Sequence, residues 1–436
     1  MTLPKPPVST VSIIDTYAQS YQTLFPDVRS FNHFKQLLLG LTADLPRKTL
    51  PAIAKAVGAD AQSLHHFLCV SPWQTNELRN KRLAIIKEIV GELPITICID
   101  ETGDKKKGKT TDYVSRQYLS NVGKIDNGIV SVHAYGYING LAFPLLFRVF
   151  KPKERLKPTD KYRTKPELAA EMMQEILHAG FRVELVLADT IYGESNDFVA
   201  AMNNLELNFI LATRRNHVPW WLPSSFEPTY KEWQQFDRVF SNGTKEQRYI
   251  REIVFRECKA LKYYQITTDI EQLPEDSTWR VRTDLRNHSP AQIGNSYGLR
   301  TWIEYGFRQM KSELGWKDYR LTEYEHIERW WELILCAYVL VCQGFQRIQE
   351  SKTCTDLPVE ETKEEPKYSN NSQSKQAKDK HDSWKSVLND LRMRCTPYIC
   401  LCLLMPWLNF FEYLVLQSCL VKLVEAVNSL PTAHPI

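Results

Sequence analysis

The sequence predicts an α/β core flanked on both sides by helical regions. Three observations carry this. Short β-rich apolar runs crowd between residues 95 and 213, helical periodicity brackets them at 21–93 and 297–348, and the 436 residues are 43% apolar and 24% charged, the mix of an ordinary folded protein. That composition excludes a mostly disordered chain, a collagen-like chain and a polytopic membrane protein. At roughly 100–200 residues per domain, the length allows two to four domains.

Taken in order, residues 21–93 read as helices. Within LPRKTLPAIAKAVGADAQSLHHFL, Leu50, Ile53, Ala54 and Val57 recur at helical spacing, Gly58 ends that helix, and Asp60 can cap the next. Leu64, Phe67 and Leu68 would face inward. Gln62, Ser63, His65 and His66 would face out, as on the recognition helix of a helix-turn-helix; any small helical hairpin gives the same pattern. ITICID (95–100), YVSRQYL (113–119), IVSVHAYGYI (129–138) and LAFPLLFRVF (141–150) read as strands, with NVGKIDNG as a turn. A helix over about 166–179, the strand VELVLAD (183–189), a helix near 197–204 and the strand NFILAT (208–213) come next. Consecutive strands, then alternating helix and strand, is the order of a ribonuclease-H-like core. Residues 214–295 interrupt it with several β-like runs and four tryptophans, Trp220, Trp221, Trp233 and Trp279. Helical periodicity returns at 297–314 and at about 327–348.

The expected domains are therefore a helical DNA-binding region over 1–93, a core over 94–213 and 296–350, a β-rich insertion over 214–295, a linker or disordered loop over 353–383, and C-terminal helices over 384–436. The apolar stretch at 398–424 is interrupted by Pro406, Asn409, Glu412 and Gln417. It is expected to form buried helices packing on the core rather than a membrane span. The opening MTLPKPPVST has no apolar run, so no signal peptide is expected. Ten scattered cysteines without a Cys-x-x-Cys pair suit buried thiols in a reducing compartment better than zinc ligands. A cytoplasmic, nucleoid-associated location is expected.

The net charge of +4 says little, but residues 101–165 hold 14 Lys or Arg against 6 Asp or Glu. Such a block suggests a polyanionic partner, nucleic acid first; a solvated basic face is the other reading. Asp100 and Asp189 each end an apolar strand run, where α/β folds place ligand-binding groups, although loop-starting and helix-capping aspartates are common. In NSYGLRTWIEYGFRQMKSELGW, Tyr297, Arg300, Glu304 and Lys311 have offsets of 0, 3, 7 and 14. At about 100° per residue they share a roughly 60° arc of one helix face. Ile303, Phe307, Met310 and Leu314 form the adjoining stripe, which amphipathicity explains by itself. Two aspartates and a glutamate can hold a pair of Mg²⁺ ions about 3.5–4 Å apart, as phosphodiester chemistry uses them. Arginine and lysine one and two turns away can hold phosphates.

Tyr297-x2-Arg300-x3-Glu304-x6-Lys311 resembles the Tyr-Arg-Glu-Lys signature of bacterial insertion-sequence transposases of the DDE type. IDETGDKKKGK…SRQYLSNVGKIDNGIVSV (99–132) and LADTIYGE (187–194) look like the first and second acidic motifs of that group. More narrowly, the chain is similar to the insertion-sequence 701 family, through to about Trp316. The resemblance implies a ribonuclease-H-like core, cut-and-paste transposition, and Asp100, Asp189 and Glu304 as ligands of Mg²⁺, with Mn²⁺ able to substitute. It implies Tyr297, Arg300 and Lys311 as contacts to the cleaved strand. The element's terminal inverted repeats and target DNA would be the partners, with a dimer in the DNA complex and no membrane. It implies a β-rich insertion, whose tryptophans in some relatives stack on a flipped base. Lys105, Lys106, Lys107 and Lys109 would form a basic turn touching DNA backbone, and Glu101 and Glu194 stand beside the acids as possible auxiliaries.

Two other readings compete. Gly103 to Thr110 fits the P-loop pattern G-x-x-x-x-G-K-T, which requires a helix directly afterwards; the next residues, TDYVSRQYLS, read as a strand. A catalytically inactive DNA-binding relic would keep the fold, but all three acids and the signature set are present.

Overall fold

The computed structural model describes residues 6–119, 122–217, 219, 222, 226–240, 244–255, 261–355, 384–411 and 413–429, the side chains of 345–355, 428 and 429 excepted. In chain order its first elements are α1 (Ser12–Gln19), α2 (Val28–Thr42), α3 (Leu50–Ala56), α4 (Ala61–Cys69) and α5 (Thr75–Val90). Then come β1 (Ile95–Lys105), β2 (Ser115–Leu119), β3 (Lys124–Ile138), β4 (Leu141–Val149), α6 (Lys165–His178), β5 (Val183–Ala188), α7 (Thr190–Gly193), α8 (Asn196–Asn204) and β6 (Phe209–Thr213). β7 (Thr229–Tyr230), β8 (Gln234–Val239), β9 (Lys245–Val254), β10 (Lys262–Thr267) and β11 (Trp279–Thr283) lead to α9 (Pro290–Gly298) and α10 (Thr301–Glu313). The chain ends in α11 (Tyr324–Thr355), α12 (Trp384–Phe410) and α13 (Leu414–Ser429). It divides into two compact units, Met1–Ile89 with Gln309–Arg320 and Glu325–Ile436, and Val90–Arg308 with Leu321–Tyr324.

The second unit is built on one sheet. β1 pairs antiparallel with β3, and β3 with β4, while β5 and β6 lie parallel on the other side of β1. The spatial order β4-β3-β1-β5-β6, antiparallel on one side of β1 and parallel on the other, is consistent with the ribonuclease-H-like core expected. Both faces of β1 are covered, which is why its apolar run is continuous rather than alternating. The sheet continues antiparallel beyond β6 through β11, β10 and β9, so the β-rich stretch extends the core's own sheet. β1 and β3 are longer than expected: β1 runs on to Lys105, and β3 starts at Lys124, inside the expected turn. Trp220 and Trp221, like residues 356–383 of the expected linker, lie outside the described residues; 353–355 continue α11.

In the helical unit, Thr49 caps α3, Gly58 turns the chain with φ 64°, and Asp60 caps α4 by accepting from Ser63 N at 2.7 Å. Leu64, Phe67 and Leu68 are buried, and Gln62, His65 and His66 are exposed, as their spacing predicts. Phe25, Phe34, Phe67 and Trp73 make a ring cluster beneath. A charged network lies deeper. Glu332, fully buried, accepts from Arg79 Nε at 2.6 Å and from Arg82 Nη2 at 3.0 Å. The C-terminal stretch departs from expectation. It groups with the helical unit, and only one side of α12 is buried, through Trp384, Val387, Leu388, Leu391, Cys395 and Leu408. Trp407, Phe410, Tyr413, Leu414 and Val415 are more than half exposed. Apolar residues encircle these helices, so no single packing face can cover them.

Candidate active site

β1 and β5 pair in parallel through Ile99 and Ala188. Asp100 and Asp189 are the next residues on each strand, so the register sets them side by side where the parallel pairing ends. β5 stops there because Asp189 becomes the N-cap of α7, its Oδ1 accepting from Ile191 N at 3.0 Å. α7 is pressed against β6: a Cβ on Gly193 would stand 1.7 Å from the Ala212 carbonyl oxygen. The carboxylates of Asp100, Glu101 and Asp189 offer oxygens within 4.8 Å of one another. Burial pushes the Asp100 carboxyl up to about 7, with Arg300 pulling it down and Asp189 and Glu101 pushing it further up. Burial likewise raises Asp189 to about 6, with Glu101 adding to the rise.

Glu101 is an acid that the sequence marks, like Glu194, only as a possible auxiliary. It is 7% exposed, and accepts from Lys165 Nζ at 2.8 Å and from the Tyr192 hydroxyl at 3.2 Å. Lys165 reaches it from the first position of α6, set by the capping box of Thr164 and Glu167. Neither Lys165 nor Tyr192 stands out in the sequence; Tyr192's place inside LADTIYGE is the available signal. Glu194 lies apart from this cluster, accepting from Arg214 N at 2.9 Å and facing His217 Nδ1 at 3.0 Å.

α10 carries Glu304 over the same face of the sheet. Asp100 is opposite His133 in the β1–β3 register, and α10 lays Phe307 on His133 and Tyr135 and Trp302 on Tyr137. Glu304 is 58% exposed and stands outside the three-carboxylate cluster, joined to it through Arg300. Arg300 Nη1 donates to Asp100 Oδ2 at 3.0 Å, and its Nη2 is 3.7 Å from Glu304 Oε1. The expectation of one continuous helix needs correction: α9 ends at Gly298 and α10 begins at Thr301. The joint is wound by i→i+3 bonds, Arg300 N to Tyr297 O and Ile303 N to Arg300 O. Tightening to three residues per turn eclipses positions three apart. The buried Tyr297 hydroxyl is thereby brought into hydrogen bonding with Arg300. Lys311 lies further along α10, in the stretch that belongs to the helical unit.

The expected basic turn divides. Lys105 ends β1 and pairs with Asp126 at 2.7 Å, and Lys106 is partly buried, which lowers its pKa. Lys107 and Lys109 line an open groove of about 940 Å³ with Arg116, Lys124 and Arg155. The P-loop alternative fails on the same geometry. Gly103, Asp104 and Lys105 are paired with β3, and β2, not a helix, is the next element after Thr110. Of the tryptophans, Trp233 stacks under Arg251 at 4.3 Å and Trp279 under Arg248 at 4.7 Å.

Residues 22–247 match a family described as DDE superfamily endonuclease, and residues 155–340 match one described as transposase DDE domain. The chain is also similar to a protein of Microchaete diplosiphon described as a probable transposase for insertion sequence element IS701. The two are 53% identical over 330 residues, which is 75% of this chain and 87% of that relative.

Proposed function

The chain belongs to the DDE transposases, and from that premise we propose that Asp100, Asp189 and Glu304 are its catalytic acids in cut-and-paste transposition. Enzymes of this superfamily use divalent metal, and the residues present suit one. The donors are hard carboxylate oxygens, and Asp100 and Asp189 repel each other in a buried setting that a cation would relieve. Mg²⁺, with Mn²⁺ as a substitute, is the proposed metal; when bound it supplies activation of the attacking oxygen and stabilisation of the leaving one. Arg300 holds a phosphate of the cleaved strand through its planar fork, and Tyr297 donates to a phosphate oxygen. Lys311 adds a point charge, and Lys107 and Lys109 contact backbone phosphates from their groove, flanked by Lys105 and Lys106. The first attack, by water, frees a 3′-hydroxyl at the element end. That hydroxyl then attacks target DNA in line, with the chain's residues providing position and charge.

The proposed organisation is a core over 94–213 and 296–350, the sheet extension over 214–295, and a DNA-binding region over 1–93 whose α4 reads the terminal inverted repeats. Two ends must be synapsed, so a dimer in the DNA complex is part of the proposal, as is a cytoplasmic, nucleoid-associated location. Among the described residues no helix is long and apolar enough to cross a membrane.

The observation that carries this reading is the placement of Asp100 and Asp189 at the ends of adjacent parallel strands, with Arg300 linking them to Glu304. The test is strand cleavage of linear DNA carrying the element's flanking sequences, with Mg²⁺, with EDTA, and with Glu304→Gln. Metal-dependent cuts at a fixed end that vanish in the variant are expected. Tight end binding without any cutting would instead mean an inactive relic.

A further inference from the structure

Beside Glu304 lies a small cavity of about 190 Å³, two of whose lining arginines the chemistry above does not use. Its lining includes Arg238, Arg248, Trp279, Tyr297, Arg300 and Glu304. Arg238 and Arg248 come from β8 and β9, where the register sets Phe236 opposite Arg248 and Arg238 opposite Glu246. The two arginines are therefore diagonal neighbours on one face of the sheet. Both are more than nine-tenths buried, at 9% and 6% exposure.

Among the described residues, the hydrogen bonding of Arg248 is incomplete. Arg248 spends Nε and Nη2 on Glu246, at 2.8 and 2.7 Å, and its buried Nη1 meets no partner among the described residues. Arg238 Nη2 donates to the Gly298 carbonyl at 3.3 Å, and a Cβ on Gly298 would stand 3.0 Å from Arg238 Nε, so a glycine is what admits it. The Trp279 ring lies beneath Arg248 and the Phe240 ring beneath Arg238, both 4.7 Å from the guanidinium carbon. Burying neighbouring like charges is unfavourable unless an anion joins them. Three guanidiniums thus line one cavity, with Glu246 against Arg248, Asp100 against Arg300, and a Glu304 that is itself proposed to be drawn to metal.

We propose that Arg238 and Arg248, together with Arg300, form a pocket for a phosphate group of the DNA strand being cut, holding it next to Glu304. The proposal rests on the reading of Tyr297 and Arg300 as strand contacts and adds two residues from the sheet extension to them. A tetrahedral phosphate matches the planar two-nitrogen fork of each arginine. It would be an internal phosphodiester or the 5′-phosphate left by the cut.

The test uses the full chain in EDTA, so that binding is read without cleavage. Three fluorescent duplexes are compared: one running intact across the element end, one pre-cut there with a 5′-phosphate, and one pre-cut with a 5′-hydroxyl. Arg248→Gln and Arg238→Gln are each expected to bind about tenfold more weakly, with the salt slope smaller by about 0.9, the share of one phosphate. Loss confined to the 5′-phosphorylated duplex assigns the pocket to the terminal phosphate; loss that includes the intact duplex assigns it to an internal one. Arg238→Gln gives up a long backbone bond and the contact with the Phe240 ring but no close ion pair among the described residues, so it carries the test if Arg248→Gln does not fold. Folded variants that bind all three duplexes like the unaltered chain would overturn the pocket, while Asp189→Asn, assayed for cutting with Mg²⁺, would still judge the carboxylates separately. Conversely, weakened variants of a chain that never cuts would uphold the pocket and sink the catalytic reading.

Discussion

Arg300 donates to Asp100 across a 3.0 Å gap while hydrogen-bonding Tyr297 and facing Glu304, so one guanidinium ties the first acid to the signature segment. Replacing it by glutamine removes a cation that holds the Asp100 carboxyl down. The acid limb of metal-dependent cutting should therefore move to higher pH in Arg300→Gln. The slope of log binding constant against log salt should also shrink by about 0.9, one phosphate's worth. A pH–rate profile and a salt titration check the two effects independently. An unmoved acid limb with an unchanged salt slope would remove Arg300 from both roles.

The raised carboxyls of Asp100 and Asp189 also set a direction for stability. Both folded pKa values, about 7 and about 6, lie above the ordinary carboxylate range. As pH rises from about 4 the unfolded chain releases these protons first, so the metal-free fold loses stability up to about pH 7. Asp189→Asn removes one such charge. At pH 8 in EDTA its thermal midpoint should exceed that of the unaltered chain by a few °C, and the difference should vanish near pH 4. Added Mg²⁺ should raise the midpoint of the unaltered chain more at pH 8 than at pH 6, because the ligands must be deprotonated to bind it. Equal Mg²⁺ shifts at both pH values would contradict these raised values.

Gly193 offers a purely steric test of how Asp189 is held. Its missing Cβ lets α7 lie against the backbone of β6, with the Ala212 carbonyl oxygen where a methyl would go. Gly193→Ala should cost about 1–3 kcal/mol, the usual range for overpacking, and cutting should fall by more than the folded fraction does, since the cap at Asp189 must shift. Chemical denaturation and cleavage measured on the same preparation separate the two. Unchanged values in both would mean that α7 and β6 sit further apart in solution.

How much was legible in the sequence depends on how local each signal is. Asp100 and Asp189 stand out because each directly succeeds an apolar β run, and a strand end is a local pattern. Their adjacency needed the parallel register of β1 and β5, which no local pattern records. Glu101 was undervalued because strict alternation sends neighbouring strand residues to opposite faces, yet all three carboxylates converge. The break at Leu299 and Arg300 was missed because a 3.6-residue and a 3.0-residue turn differ by only about 60° over three positions. Arg238 and Arg248 carried no signal at all: only the β8–β9 register makes them neighbours. The apolar C-terminal helices were misjudged because composition shows what a residue prefers, not whether a partner surface exists.

In the helical unit, Glu332 answers two arginines at once with no exposure to solvent. Glu332→Ala would leave Arg79 and Arg82 as buried cations without this carboxylate, and breaking one partner of a buried pair typically costs about 3–5 kcal/mol. Glu332→Gln keeps the shape and one acceptor, so it should cost less. Urea denaturation of both variants gives the comparison. Equal and small losses in the two would show that water reaches the arginines in solution.

The outward face of α4 gives the last prediction. Gln62 and His65 are exposed, while Leu64, Phe67 and Leu68 lock the helix from behind and Asp60 fixes its start. If α4 enters a major groove, Gln62→Ala should reduce affinity for the element's terminal repeat by about 1–3 kcal/mol, the worth of a bidentate base contact. Affinity for unrelated DNA should be unaffected, and the thermal midpoint should barely move, because the side chain is exposed. Backbone contact alone would give the opposite signature, a loss spread evenly over all sequences. Binding of repeat and random duplexes at one salt concentration therefore decides whether this helix reads bases or only rests on phosphates.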